Sequence, residues 1–282
     1  MEVLTIVLSG LLSLASSTGV ISDRVVSSKI NSQIISVEQQ RVRIDNSPSY
    51  QVARGKLEKV RVAARGAKIK PDLRIEALEL ETDRLDLNLA KLDLDSVDEF
   101  RAALNQPFQS ALRLVLTEAD LNRVLQSPEI LAQIQQTLNR LIAGKAGSTN
   151  IAYQLLDLNL ELHSDNRLGI NLRLVRPTSS FESALESDGN NQAQRSRELM
   201  MNLQVGIAVV DGKKISLIDP KGMVNGRPMS SRLLNGFAVG ISDRLNLGVL
   251  EQDGILARIL QLEIGGDKME LASFLKLETK NP

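Results

Sequence analysis

Residues 156–174 read LDLNLELHSDNRLGINLRL. Leu156, Leu158, Leu160 and Leu162 alternate with Asp157, Asn159, Glu161 and His163. After Asp165-Asn166-Arg167, the residues Leu168, Ile170, Leu172 and Leu174 resume the alternation. A period of two places every apolar side chain on one side of an extended strand. The Asp-Asn-Arg step is short and turn-forming, so the two runs predict an antiparallel hairpin with one aliphatic and one polar face.

The same pattern extends in both directions. Upstream, Val42 and Ile44 alternate with Arg41 and Arg43, and Asn46-Ser47-Pro48-Ser49 reads as a turn. Val60, Val62 and Ala64 alternate with Lys59, Arg61 and Arg65. Leu73 and Ile75, then Leu78 and Leu80, then Leu85, Leu87 and Leu89 continue it, with a slip of phase near Thr82-Asp83 that predicts a turn or bulge. Leu112, Leu114 and Leu116 form a further strand. Downstream, Leu203, Val205, Ile207 and Val209 run into Asp211-Gly212, a hairpin turn, and then Ile215 and Leu217. Residues 256–277 make the last hairpin around Gly265-Gly266-Asp267.

Helical signals are fewer. Steps of four from Ile21 to Ile34 predict a helix over about 20–36, and Phe100, Leu104 and Phe108 predict a short one. Thr117 with Asp120 three residues on resembles a capping box. Ser127-Pro128 opens a helix with Ile130, Leu131, Ile134, Leu138, Leu141 and Ile142 on one face, ending at Gly144. Ser230 caps another, with Leu233, Leu234, Phe237, Ile241 and Leu245 inward. Residues 176–197, rich in Ser, Asn, Gln and Glu, read as a mobile loop. Long strands joined by short turns, with a few grouped helices, define an α+β class built on an antiparallel sheet. A single domain over 20–282 follows an apolar segment, 1–19.

That segment contains the most apolar run of the chain, Val3–Ala15. It has the apolar middle of a secretory signal and an exit at Ser13-Leu14-Ala15, but only Glu2 where a basic start belongs. Two readings stand: a targeting segment, cleaved or kept as an anchor, and an apolar helix packed on the domain or lying at a membrane surface.

Composition excludes several chemistries. The chain has 282 residues, with Lys+Arg 34 balanced by Asp+Glu 34, so it is not a globally basic nucleic-acid binder. It has no Cys, which removes disulfides, thiolate metal sites, thiol catalysis and anchoring through a lipidated N-terminal Cys. Five Phe and two Tyr with no Trp are too few to stack bases or sugars. Against them stand 46 Leu. The only imidazole, His163, lies on the polar phase of a strand, so no nucleophile–base pair presents itself and no enzyme is expected. Gly144-Lys145-Ala146-Gly147-Ser148-Thr149 lacks phosphate-loop spacing. Asp93, Asp95, Asp98 and Glu99 lack the Gly of a calcium loop. Neither a cofactor nor a metal is expected.

Two features remain. Residues 51–74 carry eight cations (Arg54, Lys56, Lys59, Arg61, Arg65, Lys68, Lys70 and Arg74) against two acids, and residues 76–99 carry nine acids against two cations. Either adjacent strands pair these charges across their outer faces, or the basic stretch Arg54–Lys70 faces anionic headgroups. The second feature is the aliphatic side of the strands, more extensive than two helical groups cover. Such a face is a closed core, or it meets another chain, a membrane or an acyl chain. Candidate lipid contacts on the apolar phase are Leu78, Leu80, Leu85, Leu87, Leu158, Leu160, Ile170 and Leu172.

The stretch 114–129, LVLTEADLNRVLQSPE, resembles a signature of the LmeA-like phospholipid-binding family of the bacterial envelope. The Arg65-Gly66 turn, the Leu-alternating strands at 73–94 and the hairpin at 256–277 are similar too, so the likeness covers about 20–277. The resemblance implies an elongated, curved antiparallel sheet with a few helices, akin to tubular lipid-binding domains. It implies non-enzymatic binding or transfer of phospholipid in an apolar groove at the cell envelope, periplasmic or membrane-associated. Its signature residues Thr117, Asp120 and Asn122 are expected to build a helix start rather than touch ligand. The competing expectation is an envelope scaffold whose apolar sheet is covered by a partner chain.

Overall fold

The computed structural model describes residues 35–45, 49–91, 96–143, 153–176 and 198–280. The run Val3–Ala15, the loop expected at 176–197 (Arg176 excepted) and most of the helix expected at 20–36 lie outside the described residues. Of that helix, Ile35 and Ser36 are described and are not helical; Ser36 bridges to Lys68.

The strands in chain order are β1 (Gln39–Asp45), β2 (Lys56–Leu57), β3 (Lys59–Lys68), β4 (Arg74–Thr82), β5 (Leu85–Asp86), β6 (Phe108–Thr117), β7 (Gln154–His163), β8 (Arg167–Val175), β9 (Glu198–Val210), β10 (Lys214–Val224), β11 (Arg227–Pro228), β12 (Ile255–Gly265) and β13 (Lys268–Leu277). The α-helices are α1 (Val97–Ala103), α2 (Glu118–Leu125), α3 (Pro128–Ala143) and α4 (Ser231–Arg244). The α+β class and the antiparallel pairing hold, and the sheet is divided in two. A six-stranded sheet has the order β1-β3-β4-β6-β13-β12, and a five-stranded sheet runs β11-β10-β9-β8-β7. The C-terminal hairpin therefore closes the sheet that the N-terminal strands begin, with β13 paired along all of β6.

Directly opposed residues of antiparallel strands share a face. In the first sheet one row runs Val62, Leu80, Leu112, Ser273, Ile259, and the next Ala64, Leu78, Leu114, Leu271, Leu262. In the second sheet the rows are Leu158, Leu172, Met201, Val224 and Leu160, Ile170, Leu203, Gly222. The alternation seen in the sequence thus becomes two aliphatic faces.

Three local expectations are corrected. The strand expected across Leu85–Leu89 is only two residues long, with Leu87 in a lone bridge to Leu104. Asp83 N–H bonds Gln109 and Leu87 N–H bonds Gly55, which draws this segment off the sheet and its leucines into the core. Phe108 is the first residue of β6, not part of a helix, and meets Phe100 edge-on at 5.6 Å. In α4 the buried line is Leu234, Ala238 and Ser242, whereas Ile241 and Leu245 are exposed. The Ser242 hydroxyl accepts the Leu217 N–H at 2.8 Å and so fixes which side of the helix meets β10.

The two sheets are joined through their edges. Asn122 on α2 accepts the Leu160 N–H at 2.7 Å and donates to the Leu160 carbonyl at 2.8 Å; Glu118 accepts the Leu162 N–H at 2.8 Å. Gln135 on α3 accepts the Leu155 N–H and donates to the Tyr153 carbonyl. The free edge of β7 is thereby capped at Tyr153–Leu155 and again at Leu160–Leu162. The edge of β12 receives the turns of the second sheet: Asn166 accepts the Ile264 N–H at 2.6 Å, and the Gly212 carbonyl accepts the Ile259 N–H at 2.7 Å. Gly212 sits at φ +63, where an L side chain is strained, and a Cβ there would lie 3.2 Å from the Ile259 oxygen.

Replacing Asn122 by Ala deletes two hydrogen bonds and leaves two backbone groups of Leu160 on an open edge. The expected loss is about 1–3 kcal/mol, read as a lower urea midpoint at unchanged slope. An unchanged midpoint would show that α2 does not hold the second sheet.

Candidate functional site

The aliphatic faces are not uniformly closed. Over β3 and β4 the inner side chains are sealed by Leu85, Leu87 and the α1 residues Val97, Phe100 and Ala103, with Leu104 just beyond. Leu78, Leu80, Leu85 and Leu87 are brought together there, each no more than 8% exposed. From β6 onward the face opens: Leu112, Leu114, Leu116, Leu271, Leu275 and Leu262 are half-buried. In the second sheet Leu158 is buried, and Leu160, Ile170 and Leu172 are half-buried together with Met201, Leu203 and Ile207. The eight candidate lipid contacts therefore fall into two separate groups, with Leu85 and Leu87 lying off both large sheets. Four stand in the closed core and four on the second sheet, three of them half-open.

Helices run along the margins of the half-open face of the second sheet. α2 and α3 follow the edge of β7 through Glu118, Asn122 and Gln135. α4 follows β10, with Leu217 N–H on Ser242 and Ile215 N–H on the Leu245 carbonyl. Leu234 of α4 reaches over the inner face, since a Cβ on Gly222 would lie 3.0 Å from its methyl.

The opposite face is polar, and its charges meet each other. Lys59 and Arg61 hold the Glu81 carboxylate at 2.7 and 2.8 Å, and Arg61 also pairs with Asp45 at 2.7 Å. Arg113 bridges Glu79 and Glu270 at 3.2 and 2.8 Å. Lys56 pairs with Asp86 at 3.2 Å, and the Arg54 guanidinium sits 5.5 Å from the Tyr50 ring centre. Of the seven basic candidates, Arg54, Arg65, Lys68 and Lys70 make no ion pair with another described residue, Arg54 having only its ring contact. The hydrogen bonds from Lys59 and Arg61 pull the Glu81 pKa from the ordinary 4.5 down to about 2. In the second sheet the polar face is a ladder of amides, with Asn202 donating to Asn171 and Asn171 to Glu161. His163 lies beside it, its Nε2 3.6 Å from the Glu161 carboxylate and without a hydrogen-bond partner among the described residues. Asp98 and Glu99 lie in the first turn of α1, Asp93 and Asp95 fall outside the described residues, and no metal-binding group of three occurs among the described residues.

The signature stretch does two jobs. Thr117 caps α2 through the Asp120 N–H and donates its hydroxyl to the Asp120 carboxylate at 2.7 Å. Asp120, 2% exposed, also accepts from Arg123 at 3.0 Å and Arg74 at 3.3 Å, which ties the helix start to the first sheet. Asn122 goes beyond a helix start: with Glu118 and Gln135 it caps β7. The signal for Glu118 and Asn122 is their i, i+4 spacing, which sets both on one helix face; nothing local marks Gln135.

The family model described as LmeA-like phospholipid-binding matches residues 19–274, nearly the whole chain. No curated protein matches the sequence.

The Glu81 ion pairs predict an acid-dependent stability. A carboxylate with a lowered folded pKa contributes above its unfolded value, here 4.5, and loses that contribution as pH falls toward about 2. Acid unfolding of Glu81→Gln should therefore lack part of the wild-type decline across that window. The difference should shrink in high salt, since the pair is at the surface. Superimposable acid limbs at low salt would contradict the pairing.

Proposed function

The chain belongs to the LmeA-like phospholipid-binding family, and from that premise we propose that it binds or transfers phospholipid on the half-open aliphatic face of β7, β8 and β9, without catalysing a reaction. The observation that carries this reading is the contrast between the sealed side chains over β3 and β4 and the half-buried Leu160, Ile170, Leu172, Met201 and Leu203. A strand of about nine residues spans about 30 Å, longer than one leaflet of a bilayer whose apolar core is about 30 Å across. Acyl chains laid along such strands are covered over their whole length. Each methylene removed from water contributes about 0.8 kcal/mol.

The cell envelope is the proposed setting, with a membrane surface as the donor and acceptor of lipid. Arg65, Lys68 and Lys70 are the proposed contacts with anionic headgroups, because Lys59 and Arg61 are already engaged by Glu81 and Asp45. Among the described residues no helix is long and apolar enough to cross a membrane.

Native mass spectrometry of the purified chain tests the binding. The expected result is co-purified phospholipid, or uptake from liposomes after delipidation. Leu172→Asn should weaken uptake about tenfold, equivalent to about 1.4 kcal/mol, while unfolding stays cooperative. A chain that stays empty and forms a stable oligomer would support the scaffold reading instead.

The surface contact has its own test. Arg65, Lys68 and Lys70 changed together to Gln should reduce sedimentation with anionic liposomes, and added salt should mimic the change. Lys59 and Arg61 changed to Gln should matter less. The reverse ranking would overturn the assignment.

A further inference from the structure

We propose that Glu161 and His163 hold a zinc ion on the polar face of the second sheet. This site lies on the side of the sheet away from the aliphatic face and does not depend on the phospholipid reading.

The two residues stand two apart on β7, so the strand sends both side chains to the same side. The His163 Nε2 is buried and has no hydrogen-bond partner among the described residues. It lies 3.6 Å from Glu161 Oε2, which is too long for a hydrogen bond. It is the separation of two ligands on one ion, since bonds of about 2.1 Å meeting at about 110–120° set nitrogen and oxygen about 3.4–3.6 Å apart. An ion seated there takes a lone pair from each.

The surroundings hold the pair in place. Gly169 stands opposite Glu161, and a Cβ there would come within 2.8 Å of Nε2 and 3.4 Å of Oε2. The imidazole thus occupies space that a side chain at 169 would fill. Asn171 donates to Glu161 Oε1 at 2.8 Å, and Asn202 donates to Asn171 at 2.6 Å. One carboxylate oxygen is fixed from behind and the other is left toward His163, the way ligating carboxylates are held in metal sites. Arg167, opposite His163, turns its guanidinium to the Asp219 carbonyl at 3.4 Å.

The donor set names the ion. One imidazole nitrogen with one carboxylate oxygen suits zinc, whereas magnesium and calcium take oxygen ligands. No third His, Cys, Asp or Glu joins the pair among the described residues. Water completes the coordination from the solvent side, where both side chains are more than a third exposed. The ion is therefore exchangeable, unlike one in a closed four-ligand site.

The test uses the full chain without an affinity tag, stripped with a chelator and titrated with zinc. Binding is followed in a proton–nitrogen correlation spectrum of the imidazole, which is unambiguous because His163 is the only His. The inference expects a saturable shift of the Nε2 signal, with magnesium at the same concentration without effect. Affinity should fall about tenfold or more in Glu161→Gln, and also in Gly169→Ala, which keeps both ligands but sets a methyl against the ring. His163→Gln, measured by competition with a chromophoric chelator, should lose the same binding while its unfolding stays cooperative. An imidazole that titrates with acid but ignores zinc would show that the pair holds only a proton, and overturns the inference. Zinc uptake unchanged in His163→Gln or Glu161→Gln overturns it as well.

Discussion

The outer side of β7 has no strand beside it, and the rest of the molecule depends on how its N–H and C=O groups are satisfied. An unguarded edge pairs with other chains. Here Glu118, Asn122 and Gln135 take the place of a neighbouring strand. Side chains can do this where another strand would have carried the sheet further. The second sheet therefore ends at β7, flanked by helices, with its aliphatic face only partly covered. Asp120 and Arg74 connect the same helix to the first sheet, so one short segment sets both the stability and the margin of the site.

A complementary constraint acts on the other faces. Strongly opposite charge runs lie next to each other in sequence, and β3 and β4 lie next to each other in space. Arg61 stands opposite Glu81, and Ala63 opposite Glu79. Cross-strand pairing follows directly, and exposed pairs of this kind add little stability each. Their larger effect is to neutralise the middle of the polar side and leave Arg65, Lys68 and Lys70 outside the pairs. On the other side the asymmetry is aliphatic, and it is concentrated where the second sheet is least covered.

Much of this was legible in the residues. Period-two alternation located the long strands, and Asp165-Asn166 and Asp211-Gly212 marked turns that adopt positive φ. Thr117 announced the start of α2. What sequence could not show was partnership. Leu78 and Leu160 have the same local pattern, yet the first is sealed beneath Phe100 and its neighbours and the second is half-open. The difference comes from β5 and α1 folding over one sheet and not the other, a long-range event with no signature at either leucine. The division into two sheets was hidden for the same reason, because β13 returns to β6 across more than half the chain. Ile241 and Leu245 looked inward by spacing; Ser242 turned the helix by one position toward β10.

The central claim is that acyl chains lie on the inner face of β7, β8 and β9. A phospholipid carrying a photoreactive group within its acyl chain tests this most directly, with cross-linked peptides mapped by mass spectrometry. The account predicts labels at Leu160, Ile170, Leu172, Met201 and Leu203, with Leu78 and Leu80 unlabelled. Labels confined to the polar face, or to the core beneath α1, would contradict it.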